Sequence, residues 1–180
     1  TDFIDGKNIL ITYVQKVFNG RSVFGLDANG ENVGAFLLDD SHACIDAIKN
    51  AFSMKIDRQS PLFQTFLEMF KGSLTEQGEG DFYKILGTES CPSIMAVPYW
   101  DWIRKKGEVV QKLIDNEELD LNIKFTLPII QNILEFCTMY VTGNRIEITP
   151  DYAPIERFTS FYNAKTRILM SATTQDDSFF

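Results

Sequence analysis

The sequence predicts an α/β fold in which parallel strands are interrupted by a large, mainly helical insertion. Two short apolar runs, 33–38 and 167–170, have the length and composition of buried parallel-sheet strands. Each ends in a compact polar group: Asp39-Asp40-Ser41-His42 after the first, Ser171-Ala172-Thr173 after the second. Between them, residues 46–150 repeat their apolar side chains mostly at helical spacing.

The elements follow in order. Residues 8–13 (Asn-Ile-Leu-Ile-Thr-Tyr) read as a first strand, and 14–18 as a helical turn. Asn19-Gly20 and Asn29-Gly30 mark tight turns, the second leading into strand 33–38. Helical spacing begins at 46–52. Ser60-Pro61 has the form of an N-cap followed by Pro at the first helical position, and Leu62, Phe63, Phe66, Leu67 and Phe70 continue at helix spacing until Gly72 closes the helix. Residues 76–81 are polar and Gly-rich, a loop. Pro98 precedes an aromatic cluster, Tyr99-Trp100-Asp101-Trp102. Residues 108–114 predict a helix, 115–120 an acidic turn, and 125–141 a strongly apolar helix with Pro128 near its start. Gly143-Asn144, flanked by alternating segments, predicts a hairpin. Residues 155–161 follow, and Asn163-Ala164-Lys165 leads into the last strand. No internal repeat interrupts this order.

Composition narrows the function. With 180 residues and 44% hydrophobic content, the chain suffices for a domain with a sizeable core. A net charge of −8 has the wrong sign for holding nucleic acid by the overall field, which leaves only a local basic groove for that purpose. Cys44, Cys91 and Cys137 are widely spaced with no CxxC, which argues against structural zinc and fits reduced thiols in the cytoplasm. No stretch approaches the length of a membrane span, and no signal-peptide pattern opens the sequence, so no membrane partner is expected.

Two carboxylates at the carboxyl end of a parallel strand stand where open α/β sheets place their ligand crevice. Asp39-Asp40-Ser41-His42 there resembles the DExH (DEAH-type) motif II of superfamily 2 helicases, and Ser171-Ala172-Thr173 resembles motif III, in the right order. Ile9-Leu10-Ile11-Thr12 and the turn after it are similar to the strand and turn carrying motif Ib. A long helical insertion between motifs II and III resembles the arch domain of the XPD/DinG group. The approach to motif III, Asp151-Tyr152-Ala153-Pro154-Ile155-Glu156 and then 161–169, has that group's layout. The resemblance lies at the two ends of the chain, while the middle agrees only in position, length and helical character.

The resemblance implies a partial RecA-like P-loop NTPase core. Residues 1–45 form its first part, 46–150 an arch-like insertion, and 151–180 the return to the core. It implies Mg-ATP hydrolysis coupled to movement along a nucleic acid strand, with ATP and Mg²⁺ as cofactors. Asp39 binds Mg²⁺ through water. Asp40 stands where the family has Glu, the residue that orients or deprotonates the attacking water, and is one methylene shorter. His42 couples to Ser171 and Thr173 beside the nucleotide. Thr12, Gln15 and Lys16 meet the sugar-phosphate backbone, although Thr12 reads equally well as a cap of the turn that follows it. The implied partners are single-stranded nucleic acid, DNA favoured over RNA, and a second RecA-like domain of the same parent chain. The group often carries an iron–sulfur cluster, whose four cysteines lie upstream of this segment in the family; these three scattered cysteines supply none.

The sequence has no GxxxxGK[ST] phosphate loop and begins at Thr1, so a fragment of a longer helicase is expected, inactive by itself. The rival reading is a non-catalytic, helicase-derived interaction module, which the Asp-for-Glu change and the acidic charge favour. Tyr99, Trp100 and Trp102, followed by Arg104, Lys105 and Lys106, read either as a packing cluster or as a platform for unpaired bases. Cys44 lies two residues from His42, so their side chains point apart and no Cys–His nucleophile is expected.

Overall fold

The computed structural model describes residues 2–3, 5–87 and 92–172. The fold is mixed α/β. The chain forms two compact units, one from residues up to Ala51 together with those from Pro154 on, the other Phe52–Ala153.

In the first unit, β1 (Ala35–Leu38) and β6 (Thr166–Leu169) form a two-stranded parallel sheet, with Leu37 opposite Ile168 and Leu38 opposite Leu169. Helix α1 (Val14–Val17) lies beside α2 (Ser41–Ala51), which follows β1 directly. An aromatic cluster forms the core. Phe18 meets Phe158 and Phe161 edge-on at 5.1 and 5.0 Å, and Phe161 meets Phe36 at 5.3 Å. These rings draw together the start of the chain, β1 and the return segment. That segment continues through a 3-10 turn (Ile155–Arg157) and α6 (Thr159–Tyr162). Arg157 donates both Nε and Nη2 to Asp27, which lies in the left-handed region at φ +50°, and Ser160 Oγ donates to the Phe24 carbonyl at 2.6 Å.

The expected first strand does not form. Residues 8–13 have no regular structure, and Ile9 and Ile11 are 93% and 92% exposed. A run of β-branched residues becomes a strand only when it finds a partner, and the described sheet offers two strands only. A wider RecA-like sheet is therefore absent among the described residues.

The second unit is helix-rich but built on a four-stranded antiparallel sheet in the order β2-β5-β4-β3. Its strands are β2 (Met54–Asp57), β3 (Ile94–Ala96), β4 (Cys137–Thr142) and β5 (Arg145–Pro150). The β4–β5 hairpin turns at Gly143-Asn144. Along β4, Cys137, Met139 and Val141 are buried and their neighbours only partly so, the alternation of a one-faced sheet. Helices α3 (Pro61–Gly87), α4 (Tyr99–Asp115) and α5 (Leu121–Ile130) supply Phe63, Phe66, Phe70, Trp102, Val109, Ile123 and Leu127 to the core.

Three expectations need correction here. Helix α3 does not close at Gly72, and 76–81 is no loop. The helix runs on to Gly87, broken only at Gly78, because Leu74, Phe82 and Ile85 extend its buried face. The apolar stretch 125–141 is not one helix. Pro128 removes an N–H from the last turn of α5, the chain tightens into a 3-10 helix (Gln131–Phe136), and β4 begins at Cys137. Strands β2 and β3, at four and three residues, are too short to show a period in the sequence.

Candidate functional site

The polar groups after β1 and β6 meet because their strands pair in register. The Leu38 carbonyl and the Ser41 N–H continue the ladder: Met170 N–H donates to the Leu38 carbonyl at 2.9 Å, and Ser41 N–H donates to the Met170 carbonyl at 2.8 Å. This places His42 beside Ser171, with Nδ1 and Oγ 3.1 Å apart. Ser41 itself is buried and makes the backbone join, a role the sequence does not announce. Thr173 lies outside the described residues.

Asp39 and Asp40 are both exposed at the carboxyl end of β1. Asp39 Oδ1 accepts from the Asp40 N–H at 3.1 Å. Asp40 sits in the left-handed region at φ +53°, and its Oδ1 faces the Ala43 N–H at 3.4 Å. Asp tolerates that backbone and is a favoured N-cap, so Asp40 both turns the chain and caps α2. The Cys44 thiol donates to the Asp39 carbonyl at 3.2 Å. Burial pushes this thiol up, and the Asp40 and Asp39 charges push it further. It is therefore no activated nucleophile.

Thr12, Gln15 and Lys16 are exposed on the approach to α1 and on α1, the helix beside α2. The N-cap of α1 is Tyr13, with no side-chain cap bond, so Thr12 does not cap that helix. No hydrogen bond or ion pair among the described residues joins these three to the Asp39–Ser171 group. Of the aromatic cluster, Trp102 is buried and donates to the Leu134 carbonyl at 2.7 Å, whereas Tyr99 and Trp100 are exposed. Arg104 and Lys105 bind Asp101, and Lys106 binds Glu135.

The donor set fits an Mg–phosphate site only in part. No group of three His, Cys, Asp or Glu able to hold a metal exists among the described residues. Mg²⁺ commonly takes one or two carboxylates and fills its remaining positions with phosphate oxygens and water. Asp39 would supply one such carboxylate, and no phosphate-cradling loop is formed among the described residues. A cleft of about 460 Å³, lined by Asp27, Glu31, Asn32, Thr159 and Asn163 among others, opens at the amino end of β1, away from the two aspartates. No described helix is long and apolar enough to cross a membrane.

No family model, no curated protein and no solved structure matches the chain.

Proposed function

We propose that this chain carries the motif II to motif III part of the first motor domain of a DExH-type, XPD/DinG-like helicase, with an arch-like insertion between the motifs. One observation carries the reading. The Asp-Asp-Ser-His and Ser-Ala groups end neighbouring parallel strands, and His42 is bonded across them to Ser171. That is the relation expected of residues that pass a change at a bound nucleotide from one strand to the next.

In this reading Mg-ATP supplies the hydrolysis, and the phosphate loop and arginine finger come from elsewhere in the parent protein. Asp39 offers a carboxylate to the metal through water. Asp40 orients water from a shorter side chain than Glu. Thr12, Gln15 and Lys16 face the single strand, DNA in preference to RNA. A cytoplasmic setting belongs to the same reading.

The test is ATP hydrolysis by the parent protein, with and without single-stranded DNA or RNA, beside its Asp40→Asn variant. Strand-stimulated turnover abolished by the substitution supports a working motor. A second reading, a non-catalytic interaction module, is favoured by the capping role of Asp40, whose carboxylate faces the start of α2. Absence of turnover with every strand selects it.

A further inference from the structure

We propose that the turn between α4 and α5, with the outer face of α5, docks a basic amphipathic peptide segment of a partner protein. This does not depend on the helicase reading.

Helix α5 is apolar on two faces. Ile123, Leu127 and Ile130 are buried in the second unit, while Leu121 and Phe125, one turn apart, are 70% and 41% exposed. Just before them Leu119 is 84% exposed, and Ile114 at the end of α4 is 46% exposed. Leu121 and Phe125 thus lie outside the face that α5 buries, in a helix whose Lys124 pairs with Glu118 of the preceding turn. Four large apolar side chains are thus exposed within twelve consecutive residues, a local concentration rather than single scattered ones.

The patch is held rather than loose. Glu117 N–H donates to the Ile114 carbonyl at 3.2 Å, and Leu119 N–H donates to the Asn116 carbonyl at 3.1 Å. The Asp120 carboxylate caps α5 by accepting from Asn122 N–H at 2.8 Å, and the Asn122 side chain accepts from Lys55 N–H of β2 at 2.6 Å. A fixed backbone has already met much of the ordering cost of binding.

Charge selects the occupant. From Ile114 to Phe125 the chain has four acidic side chains, Asp115, Glu117, Glu118 and Asp120, against one basic, Lys124. A second copy would set these carboxylates against themselves, and an anionic bilayer or a nucleic acid would be repelled. A peptide with apolar anchors and flanking Lys or Arg answers both features.

The probe is a dye-labelled peptide of leucine and lysine with leucines at helical spacing, titrated into the full chain and read by anisotropy. Saturable binding is expected, absent for the same peptide with glutamate in place of lysine. Leu119→Ser with Leu121→Ser weakens it by at least about tenfold, and both leucines are exposed enough for the unfolding midpoint to hold. Asp115→Asn with Glu117→Gln reduces its salt dependence. Ile9→Ser with Ile11→Ser, exposed apolar residues elsewhere, leaves it unchanged. The proposal is overturned if the Leu119/Leu121 variant binds as tightly as the unaltered chain, if the Ile9/Ile11 variant loses binding equally, or if the patch instead sustains a dimer in sedimentation that the Leu119/Leu121 variant dissolves.

Discussion

His42 and Ser171 are 129 residues apart in the chain, yet His42 Nδ1 lies 3.1 Å from Ser171 Oγ. The contact closes the end of a two-stranded parallel sheet, a unit that has little stability by itself. A side-chain bond thus joins the two strand ends, and the Ser41–Met170 backbone bond stands beside it. A double-mutant cycle with His42→Ala and Ser171→Ala, read by urea unfolding, is expected to give a coupling of about 0.5–1 kcal/mol. Strictly additive single effects would show that the contact carries no energy, and would remove the observation on which the motor reading rests.

Asp101 is the charged hub of the second unit. Its buried carboxylate accepts from Ser73 Oγ at 2.7 Å and Lys105 Nζ at 3.0 Å, and it also binds Arg104. Burial pushes this carboxyl up, but the bonds from Ser73, Lys105 and Arg104 outweigh it and hold it below its ordinary value. A depressed carboxyl stabilises the fold above its unfolded pKa of about 4 and loses that contribution as pH falls through the lower folded value. Asp101→Asn should lower stability at neutral pH by about 2 kcal/mol, because Lys105 is left without its counter-charge. Its unfolding midpoint should also fall less between neutral pH and pH 3 than that of the unaltered chain. Equal acid sensitivity in the two proteins would count against the hub.

Arg58 ends α3. Its guanidinium donates to the Ile85 carbonyl at 2.9 Å, the Leu86 carbonyl at 2.6 Å and the Gly143 carbonyl at 2.6 Å, and lies over the Phe63 ring. A cation on the last carbonyls of a helix satisfies groups the helix cannot, and joins α3 to the β4–β5 hairpin. Arg58→Ala is expected to cost about 2–3 kcal/mol. Arg58→Lys should recover only part of this, because a single ammonium cannot reach three carbonyls from one plane. Full rescue by Lys would mean that charge alone holds the joint.

What was legible in the sequence was what local chemistry decides. The β1 and β6 runs and the Gly143-Asn144 hairpin declare themselves by apolar length and turn residues. The expected burial of the two strands does not hold: all of β6 is exposed, and in β1 only Leu38 is buried, because no further strand joins their sheet among the described residues. Residues 8–13 misled because Ile9, Ile11 and Thr12 have strand propensity without a partner strand. The 125–141 stretch misled because a continuous apolar run has no readable period. Only the alternation Cys137, Met139, Val141 against Thr138 and Tyr140 marks a strand, and it was masked by the apolar residues before it. At the site, Asp40 directly before an apolar-periodic segment is a visible cap signal, and a carboxylate in that place fits a cap as well as a catalytic role. The nearness of His42 to Ser171 came from resemblance, since no spacing rule reaches across 129 residues.

The two tryptophans separate the two readings of the aromatic cluster. Trp102 is 1% exposed, donates to the Leu134 carbonyl and stands 6.1 Å from the Phe70 ring, whereas Trp100 is 70% exposed. Trp102→Phe should therefore cost about 1–2 kcal/mol, because the buried Leu134 carbonyl loses its donor, while Trp100→Ala should stay within about 0.5 kcal/mol of the unaltered chain. Fluorescence reads the same difference without unfolding. In Trp100→Phe the remaining indole should emit to the blue and resist acrylamide, and in Trp102→Phe it should emit to the red and be quenched. An oligothymidine titration then isolates function from packing. Quenching confined to the protein that retains Trp100 assigns base stacking to the first turn of α4, because a ring held in the core cannot reach a base. Quenching in neither protein leaves the cluster with the packing role that the Trp102 geometry already explains.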